Sequence, residues 1–334
     1  MKNTILTFTL LIGFCTFAKA QDPRFSQYFT SPLTLNPANT GNFDGPIRLT
    51  SNFRNQWQGV GTTVNTGTIS VETALMKDKL KFGDRLSIGF LGLYDNALEG
   101  GFSSSFFGPS IGYHLWLDED LHHKLSIGFQ GILVNKKIDP TRLSFGTQFT
   151  SGGFDLNLPS FEIFQNQNIN YLDWNTGLLY NFSNDGGSYY VGVSAYHLTK
   201  PSESFFGDES MKVPIRMSYN VGLSKYIGNQ GTIVASAMHQ RQGQQTETIG
   251  GIAYGHFVNA GVNEISLYMG GWYRLNESII PYVGLTFNNL HFGISYDVLT
   301  NGMSQSRLNS RSIELSVSYM FKDKSSTKKY IPWY

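Results

Sequence analysis

Few residues of this chain stand at the spacing that catalysis or metal binding requires. The seven histidines form no H-E-x-x-H pair, and no serine stands in a G-x-S-x-G elbow. His122 and His123 are adjacent, but they fall in a predicted turn, where two solvated histidines are more common than a metal site. Paired glycines at 250–251 and 270–271 lie within predicted strands, where glycine marks bends. The sequence therefore predicts no catalytic residue, no cofactor and no metal site.

A lipid hydrolase built on a membrane barrel stays open as an alternative. Such an enzyme needs a serine and a histidine close together on the lipid-facing side of the outer rim. His197, His239 and His256 lie within predicted strands and serines are abundant, but the sequence selects no pair among them.

Charged residues inside the predicted strands are more informative. An arginine or lysine that faces lipid near the bilayer midplane costs about 2–4 kcal/mol, so these residues are expected to face a lumen. One explanation is an internal salt-bridge network, and the other is a site that grips a polypeptide or a solute. The residues are Arg48, Arg54, Glu72, Asp173, Arg216, Glu264, Arg274, Asp297 and Glu314.

The composition indicates which class of fold positions these residues. Of the 334 residues, 15% are charged, 14% are aromatic and 36 are glycine. A disordered chain would be more charged and poorer in aromatic residues, and a helical membrane protein would contain apolar windows of about 18 residues. The composition therefore favours a large all-β protein. The net charge of +1, with no basic stripe, argues against nucleic acid as a partner.

Strict alternation of apolar and polar residues recurs along the chain. Near the end, Leu315, Val317 and Tyr319 alternate with Glu314 and Ser316, which is the pattern of a strand with two unlike faces. Most alternating segments reach the roughly 9–11 residues that a tilted membrane strand needs. About fourteen strands are predicted, at 46–57, 67–76, 85–95, 105–117, 123–135, 171–182, 187–199, 213–227, 231–240, 245–257, 264–274, 278–288, 290–299 and 312–322.

The lengths of the connections predict the orientation of the barrel. The long connections, 136–170, 200–212 and 300–311, all follow odd-numbered strands, whereas connections after even-numbered strands are short. Because outer-membrane barrels have short periplasmic turns and longer extracellular loops, both termini are expected in the periplasm. Aromatic residues near strand ends are expected to form interfacial girdles. These are Trp57, Trp116, Trp174, Trp272 and Tyr273.

The pattern thus predicts an all-β fold, a transmembrane antiparallel β-barrel spanning residues 45–322. The alternative, a soluble β-sandwich, would carry more Lys and Glu on its outer faces. Met1–Ala20 has the basic start, apolar stretch and small-x-small cleavage site of a Sec signal peptide. Its removal would take away Cys15, the only cysteine. The chain is therefore expected to be exported to the outer membrane of a Gram-negative cell, in contact with outer-membrane lipid.

Two terminal segments do not have the alternation of barrel strands. Residues 21–44 contain three prolines and several aromatic residues, and they are expected to fold into the lumen or against the periplasmic mouth. Residues 323–334 form a basic and aromatic tail in the periplasm. The tail is either a docking tag for a partner or a disordered extension.

Three motifs stand within the first sixty residues of the chain, and all of their residues except Arg24 are candidate partner-binding residues. They comprise Asp22, Pro23, Arg24, Phe25, Ser26, Gln27 and Tyr28, then Asn36, Pro37, Ala38 and Gly41, then Arg54, Asn55, Gln56 and Trp57. Together with Leu-Ser-Phe-Gly at 143–146 and Phe-Asp at 154–155, these motifs resemble the PorP/SprF family. Its members are outer-membrane proteins of the type IX secretion system in Bacteroidota, a system linked to gliding motility. The chain is more similar to SprF-type members because of its tail.

This resemblance implies a non-enzymatic role without a cofactor. Family members are thought to work with periplasmic and ring subunits of the system, and SprF-type members receive or anchor the C-terminal domain of a secreted adhesin. The partners implied are therefore that cargo domain, the type IX periplasmic and ring subunits, and outer-membrane lipid. The alternative, from the barrel pattern alone, is a passive outer-membrane channel or a transporter of hydrophobic solutes.

Overall fold

Fourteen antiparallel strands close into one barrel in the computed structural model, which describes residues 22–58, 63–75, 83–260, 263–300 and 311–321. Each strand pairs with its neighbours along the chain, and β1 pairs with β14 to close the barrel. The predicted fold is thereby confirmed. The strands are β1 (Ile47–Gln58), β2 (Val64–Ala74), β3 (Arg85–Ala97), β4 (Phe102–Trp116), β5 (His123–Ile138), β6 (Asn168–Asn184), β7 (Gly187–Tyr196), β8 (Arg216–Ile227), β9 (Gly231–Gln242), β10 (Gln245–Ala260), β11 (Asn263–Arg274), β12 (Ser278–Phe287), β13 (Leu290–Leu299) and β14 (Arg311–Met320).

The polar face of each strand is the buried one. In β14, Glu314 and Ser316 are buried in the lumen, whereas Leu315 and Val317 are exposed on the outer surface. A soluble sandwich would bury the apolar face instead. An apolar outer band around a polar interior is the arrangement that a lipid bilayer stabilises. The described residues hold no helix long and apolar enough to span a membrane.

The two ends of the barrel have connections of different length. At the turn end, where β1 begins and β14 ends, connections are as short as residues 185–186, 228–230 and 288–289. At the loop end, residues 139–167 and 197–215 form the two longest described connections. The predicted loop at 136–170 is shorter in the structure because β5 and β6 continue pairing as far as Lys137 and Asn168. The predicted signal peptide and the tail at 323–334 lie outside the described residues.

One predicted girdle residue points inward. Trp57, Trp174 and Tyr273 are exposed on the outer surface, but Trp272 is buried in the lumen. Adjacent residues of a strand face opposite sides, so Trp272 and Tyr273 cannot both face lipid. The girdle assignment of Trp272 is therefore wrong.

Most of the charged strand residues lie in the lumen. Seven of the nine predicted residues are buried there. Arg216 is half-buried, and Glu264 is exposed at the turn end of β11. The predicted lumen position is therefore correct for the seven buried residues. It does not describe Arg216 and Glu264, which lie at the ends of their strands.

The core of the protein lies inside the barrel. Residues 22–44, here called the plug, occupy the lumen, and most of them are buried. Tyr28, Phe29 and Leu35 of the plug join a cluster with inward-facing apolar residues of β9 to β12. On the opposite wall, Leu33 packs with Leu91 and other apolar residues of β3 to β5. The plug therefore takes the place that core side chains have in a soluble domain.

Candidate functional site

The plug passes through the lumen from the loop end to the turn end. Ser26 lies beside Glu314 and Asp297, near the loop ends of β14 and β13. Thr40 lies beside His114, near the turn end of β4. The plug contains three helical turns. A proline begins the second turn and another begins the third, because the fixed φ of proline suits a first helical position. The turns are Tyr28–Thr30, Pro32–Leu35 and Pro37–Asn39.

A row of three glycines forms a slot in the barrel wall. Gly112, Gly128 and Gly177 are paired side by side across β4, β5 and β6. A Cβ atom on Gly128 would lie 2.2 Å from the carbonyl group of Pro37, and one on Gly177 would lie 1.9 Å from the side-chain oxygen of Asn36. Only residues without a side chain allow the plug to approach the wall this closely.

Asn36 joins the turn of the plug to the wall. Its side-chain oxygen accepts a hydrogen bond from the N–H of Ala38 at 2.9 Å, which caps the helical turn that Pro37 begins. Its side-chain amide donates to the carbonyl oxygen of Leu178 at 3.1 Å. Ala38 is fully buried. The Asn-Pro-Ala motif is thus the part of the plug that fits the slot.

Gly41 completes this attachment near the turn end. Its φ is +73°, and a Cβ atom there would overlap the side chain of Ser87. The N–H of Gly41 donates to the buried carboxylate of Glu72 at 2.9 Å. Glu72 also accepts two hydrogen bonds of 2.9 Å from Arg48. A buried Arg–Glu pair with this geometry positions the plug backbone relative to β1 and β2.

Glu314 holds the beginning of the plug. Its carboxylate accepts hydrogen bonds from the N–H groups of Ser26 at 2.7 Å and Gln27 at 3.0 Å. The side chain of Gln27 donates to Ser295 and to the carbonyl oxygen of Glu314. Glu314 is fully buried, so loss of these bonds would leave a charged group without its partners.

A chain of ion pairs, in which basic and acidic side chains alternate, connects the plug to four strands. Arg54 contacts Asp297 at 2.7 Å, and Asp297 contacts Arg274 at 2.9 Å. Arg274 also contacts Glu247 at 2.8 Å. Glu247 lies 3.6 Å from Arg24 of the plug, whose carbonyl oxygen accepts a hydrogen bond from Arg54. Each buried charge is therefore balanced by its neighbours, which is the condition for keeping such groups out of water.

His197, which directly follows β7, binds the side chain of Asp22, the first residue that the structure describes. Its ring nitrogens lie 2.7 Å from Asp22 and 2.7 Å from Asp173, and Arg216 lies 3.4 Å from Asp22. Burial disfavours a charge on His197, but the two carboxylates outweigh it and raise its pKa to about 9. Burial also opposes charge on Asp22, yet His197, Arg216 and Lys136 hold the pKa of this carboxyl well below its usual range.

Comparison with known proteins identifies the family. The family model described as type IX secretion system membrane protein PorP/SprF matches residues 17–319. The chain belongs to the PorP/SprF family. No curated protein matches it by sequence. Its fold and family are those of non-enzymatic outer-membrane barrel proteins, and it is an outer-membrane component of the type IX secretion system.

The fold of this PorP/SprF protein is also similar to that of solved outer-membrane barrels. The toluene transporter TbuX of Ralstonia pickettii has a TM-score of 0.52 at 9% identity, covering 87% of this chain and 94% of TbuX. The toluene transporter TodX of Pseudomonas putida has a TM-score of 0.51 at 10% identity, covering 86% of this chain and 92% of TodX. At these identities the similarity concerns the fold alone.

The candidate residues of the PorP/SprF protein fall into two groups. The structure brings the plug residues into the lumen and joins them there to Arg54. Asn55 and Trp57 face the outer surface, because they alternate with Arg54 along β1. Trp57 is exposed with a φ of 61°, and Gln56 is half-buried near the loop end. The third motif is thus not gathered at one site.

The sequence analysis identified charged wall residues that contact the plug, such as Glu72 and Glu314, but it missed the glycine and serine residues of the wall that meet the plug. Gly128 and Ser126 belong to the second copy of a pentapeptide, Leu-Ser-Ile-Gly-Phe, found at 86–90 and 125–129. Both copies turn their serine and glycine inward. Ser126 lies 2.7 Å from His114, which also contacts the carbonyl oxygen of Thr40 at 2.8 Å. This repeat was the signal that could have located the wall of the plug site.

Two clusters that contain a histidine have spacings typical of active or metal sites, but their contacts indicate structural roles. Ser126 and His114 have the spacing of a nucleophile and base, but both are fully buried beneath the plug. At the turn end, Asp118, Asp120 and His122 bring possible ligand atoms within 4.8 Å of one another. The carboxylate of Asp118 accepts hydrogen bonds from the N–H groups of His122 and His123. These bonds account for the cluster as part of a turn.

Proposed function

We propose that this PorP/SprF protein binds the C-terminal domain of a secreted surface protein, such as an adhesin, and anchors it at the outer membrane. The observation that carries the proposal is the plug, which is bonded to the wall along the lumen from Glu314 to Glu72. A lumen filled in this way favours a binding or anchoring role over a conduit for a folded cargo. Membership of a type IX secretion family supports a secreted protein as the partner.

The orientation of the barrel assigns partners to its two ends in this proposal. Outer-membrane barrels carry long loops outside and short turns in the periplasm. The loop end, with residues 139–167 and 197–215, then faces the cargo. The turn end faces the periplasmic and ring subunits of the secretion system, and the outer band contacts outer-membrane lipid. Export by the predicted Sec signal peptide belongs to the same proposal.

Deletion of the gene tests the anchoring role. We expect one large surface protein to be lost from the cell surface, released or retained inside, while other type IX cargoes stay attached. Restoring the wild-type gene should return that protein to the surface. If every surface protein remains secreted and attached after deletion, the proposal is wrong. Affinity purification of the chain from its native outer membrane, with mass spectrometry, then identifies the partner.

A channel for hydrophobic solutes is the second candidate function. A half-open pocket with a volume of about 80 Å³ lies beside the plug near the loop end. Its apolar wall includes Leu91, Leu93, Phe106 and Ile132. This cavity favours a small apolar solute, and uptake of toluene by vesicles that contain the full chain would test it. Uptake equal to that of empty vesicles would argue against this second function.

A further inference from the structure

The two longest described loops form one body at the loop end. The rings of Phe164 and Phe206 stack with centroids 5.0 Å apart, and Phe145 lies 6.0 Å from Phe164. The N–H of Asn166 donates to the carbonyl oxygen of Phe205 at 3.1 Å. These contacts join residues 139–167 to residues 198–215. The two segments together are here called the loop platform.

The loop platform is attached to the barrel wall. Lys136, on the lumen face of β5, contacts Glu203 of the platform at 2.8 Å. The hydroxyl of Tyr171, on β6, donates to the same carboxylate at 3.0 Å. Glu203 therefore binds the second loop to two neighbouring strands, which gives the platform a defined position on the barrel.

The loop platform lies beyond the apolar band of the barrel. On the outer faces of β5 and β6, Leu133 and Leu172 are exposed as lipid-facing residues. Towards the loop end they give way to Asn135 and Asn170, whose side chains are hydrogen-bonded at 2.7 Å, and then to the exposed Lys137. Exposed amides and a lysine mark water or headgroups rather than hydrocarbon. The platform, which follows these residues, is therefore in the aqueous region.

The surface of the loop platform is unusually apolar for such a position. Phe161 and Ile163 are each 78% exposed. Phe161 has a φ of 57°, a conformation that strains a bulky residue, and its ring nevertheless points into solvent. A soluble surface rarely gathers large apolar side chains unless a partner covers them. The others exposed by more than half are Phe149, Phe154, Leu156 and Phe206.

The charge of the loop platform indicates which kind of partner covers it. It contains six acidic and three basic residues, and because Glu203 is paired with Lys136 of β5, the remaining net charge of the platform is −2. An acidic surface is repelled by phosphate-bearing headgroups and attracts a partner with basic residues around its contact face. We infer that the loop platform docks a folded protein domain through an apolar face with a basic rim. On the proposed function, on which this inference rests, that domain is the C-terminal domain of the cargo.

Binding measurements with platform variants test the inference. The probe is the recombinant C-terminal domain of the surface protein that the deletion strain fails to retain, and the full chain is held in lipid nanodiscs. The double variant Phe161→Ser/Ile163→Ser should weaken binding at least tenfold, as expected when central apolar contacts are removed. Glu162→Lys should weaken binding and reduce its dependence on salt. Leu121→Ser, an exposed apolar residue at the turn end, should change affinity less than twofold.

The outcomes separate this inference from the proposed function. If the wild-type chain does not bind the probe, both are wrong. If the wild-type chain binds the probe and the platform variants bind it equally well, only the loop platform is ruled out. If the wild-type chain self-associates in detergent and Phe161→Ser/Ile163→Ser abolishes that association without changing probe binding, the platform contacts a second copy and the inference is overturned. Heat-modifiable migration in gels verifies that each variant is folded.

Discussion

The side-chain oxygen of Asn36 lies 1.9 Å from the place where a Cβ atom would stand on Gly177. The Asn36 side chain therefore occupies the space in which a side chain on Gly177 would stand. Asn36 belongs to a motif that the sequence identifies, whereas Gly177 lies far along the chain on β6. The contact explains why a short polar turn, rather than a bulky one, occupies the slot.

The first prediction concerns Gly177→Ala. The added methyl group should force the Asn36 turn out of the slot, at a cost of about 1–3 kcal/mol of folding free energy. The plug would then become accessible to reagents. In a Thr34→Cys background, we expect maleimide to label the cysteine faster in the Gly177→Ala variant, and we expect a lower urea midpoint.

Gly67→Ala is the matched control for this prediction. Among the described residues, the only heavy atom within 4 Å of a Cβ there is the carbonyl oxygen of Asn52, at 3.9 Å, so the methyl group has room. Equal labelling rates for Gly177→Ala and Gly67→Ala would show that the plug does not depend on the glycine slot.

The sequence predicts the barrel well because alternation has a period of two and needs no knowledge of distant residues. Glu314 and Leu315 reveal their faces from their immediate neighbours alone. The plug site needs the closed barrel instead. Only closure brings Glu314 beside Ser26, from which it is separated by 288 positions. Alternation also separates Trp272 from Tyr273, but only the structure shows what Trp272 contacts in the lumen, namely the ring of Phe29 at 4.6 Å.

The second prediction concerns Glu314→Gln. The substitution keeps the shape of the side chain but removes the charge that accepts two backbone N–H groups. Hydrogen bonds to a charged group contribute about 1.5–3 kcal/mol, so the start of the plug should loosen. A spin label on Cys introduced at Pro23 should become more mobile. The control, Glu264→Gln at the exposed turn end of β11, should leave the label unchanged, and unchanged mobility in Glu314→Gln would contradict the prediction.

The third prediction concerns pH and the pair of Asp22 and His197. The raised pKa of His197 stabilises the folded plug fully below the ordinary value of 6.5, and this stabilisation is lost as pH rises through about 9. The lowered pKa of Asp22 stabilises it above the ordinary value of 3.8, and this part is lost as pH falls towards the lowered value. The start of the plug should therefore be held between these limits and loosen above pH 9.

The same spin label at position 23 measures this transition. Mobility should rise between pH 8 and 10 in the wild-type background, and the rise should be absent in His197→Gln, whose label should be mobile already at neutral pH. The control is His256→Gln, on the outer surface of β10, which should keep the wild-type profile. A wild-type profile that is flat up to pH 10 would show that the ion pair does not hold the plug.

The fourth prediction concerns the lumen itself. Removal of residues 22–44, with the signal peptide retained, should open a water-filled passage because much of the wall behind the plug is polar. Asn52, Thr68 and Ser70 are among its inward-facing residues. The deleted chain should give single-channel steps in a planar bilayer, while the full chain gives none. Deletion of residues 149–154 in the long loop leaves the plug in place and should also give none. Steps of equal size from the full chain would show that the plug does not close the lumen, and they would favour the channel over the anchor.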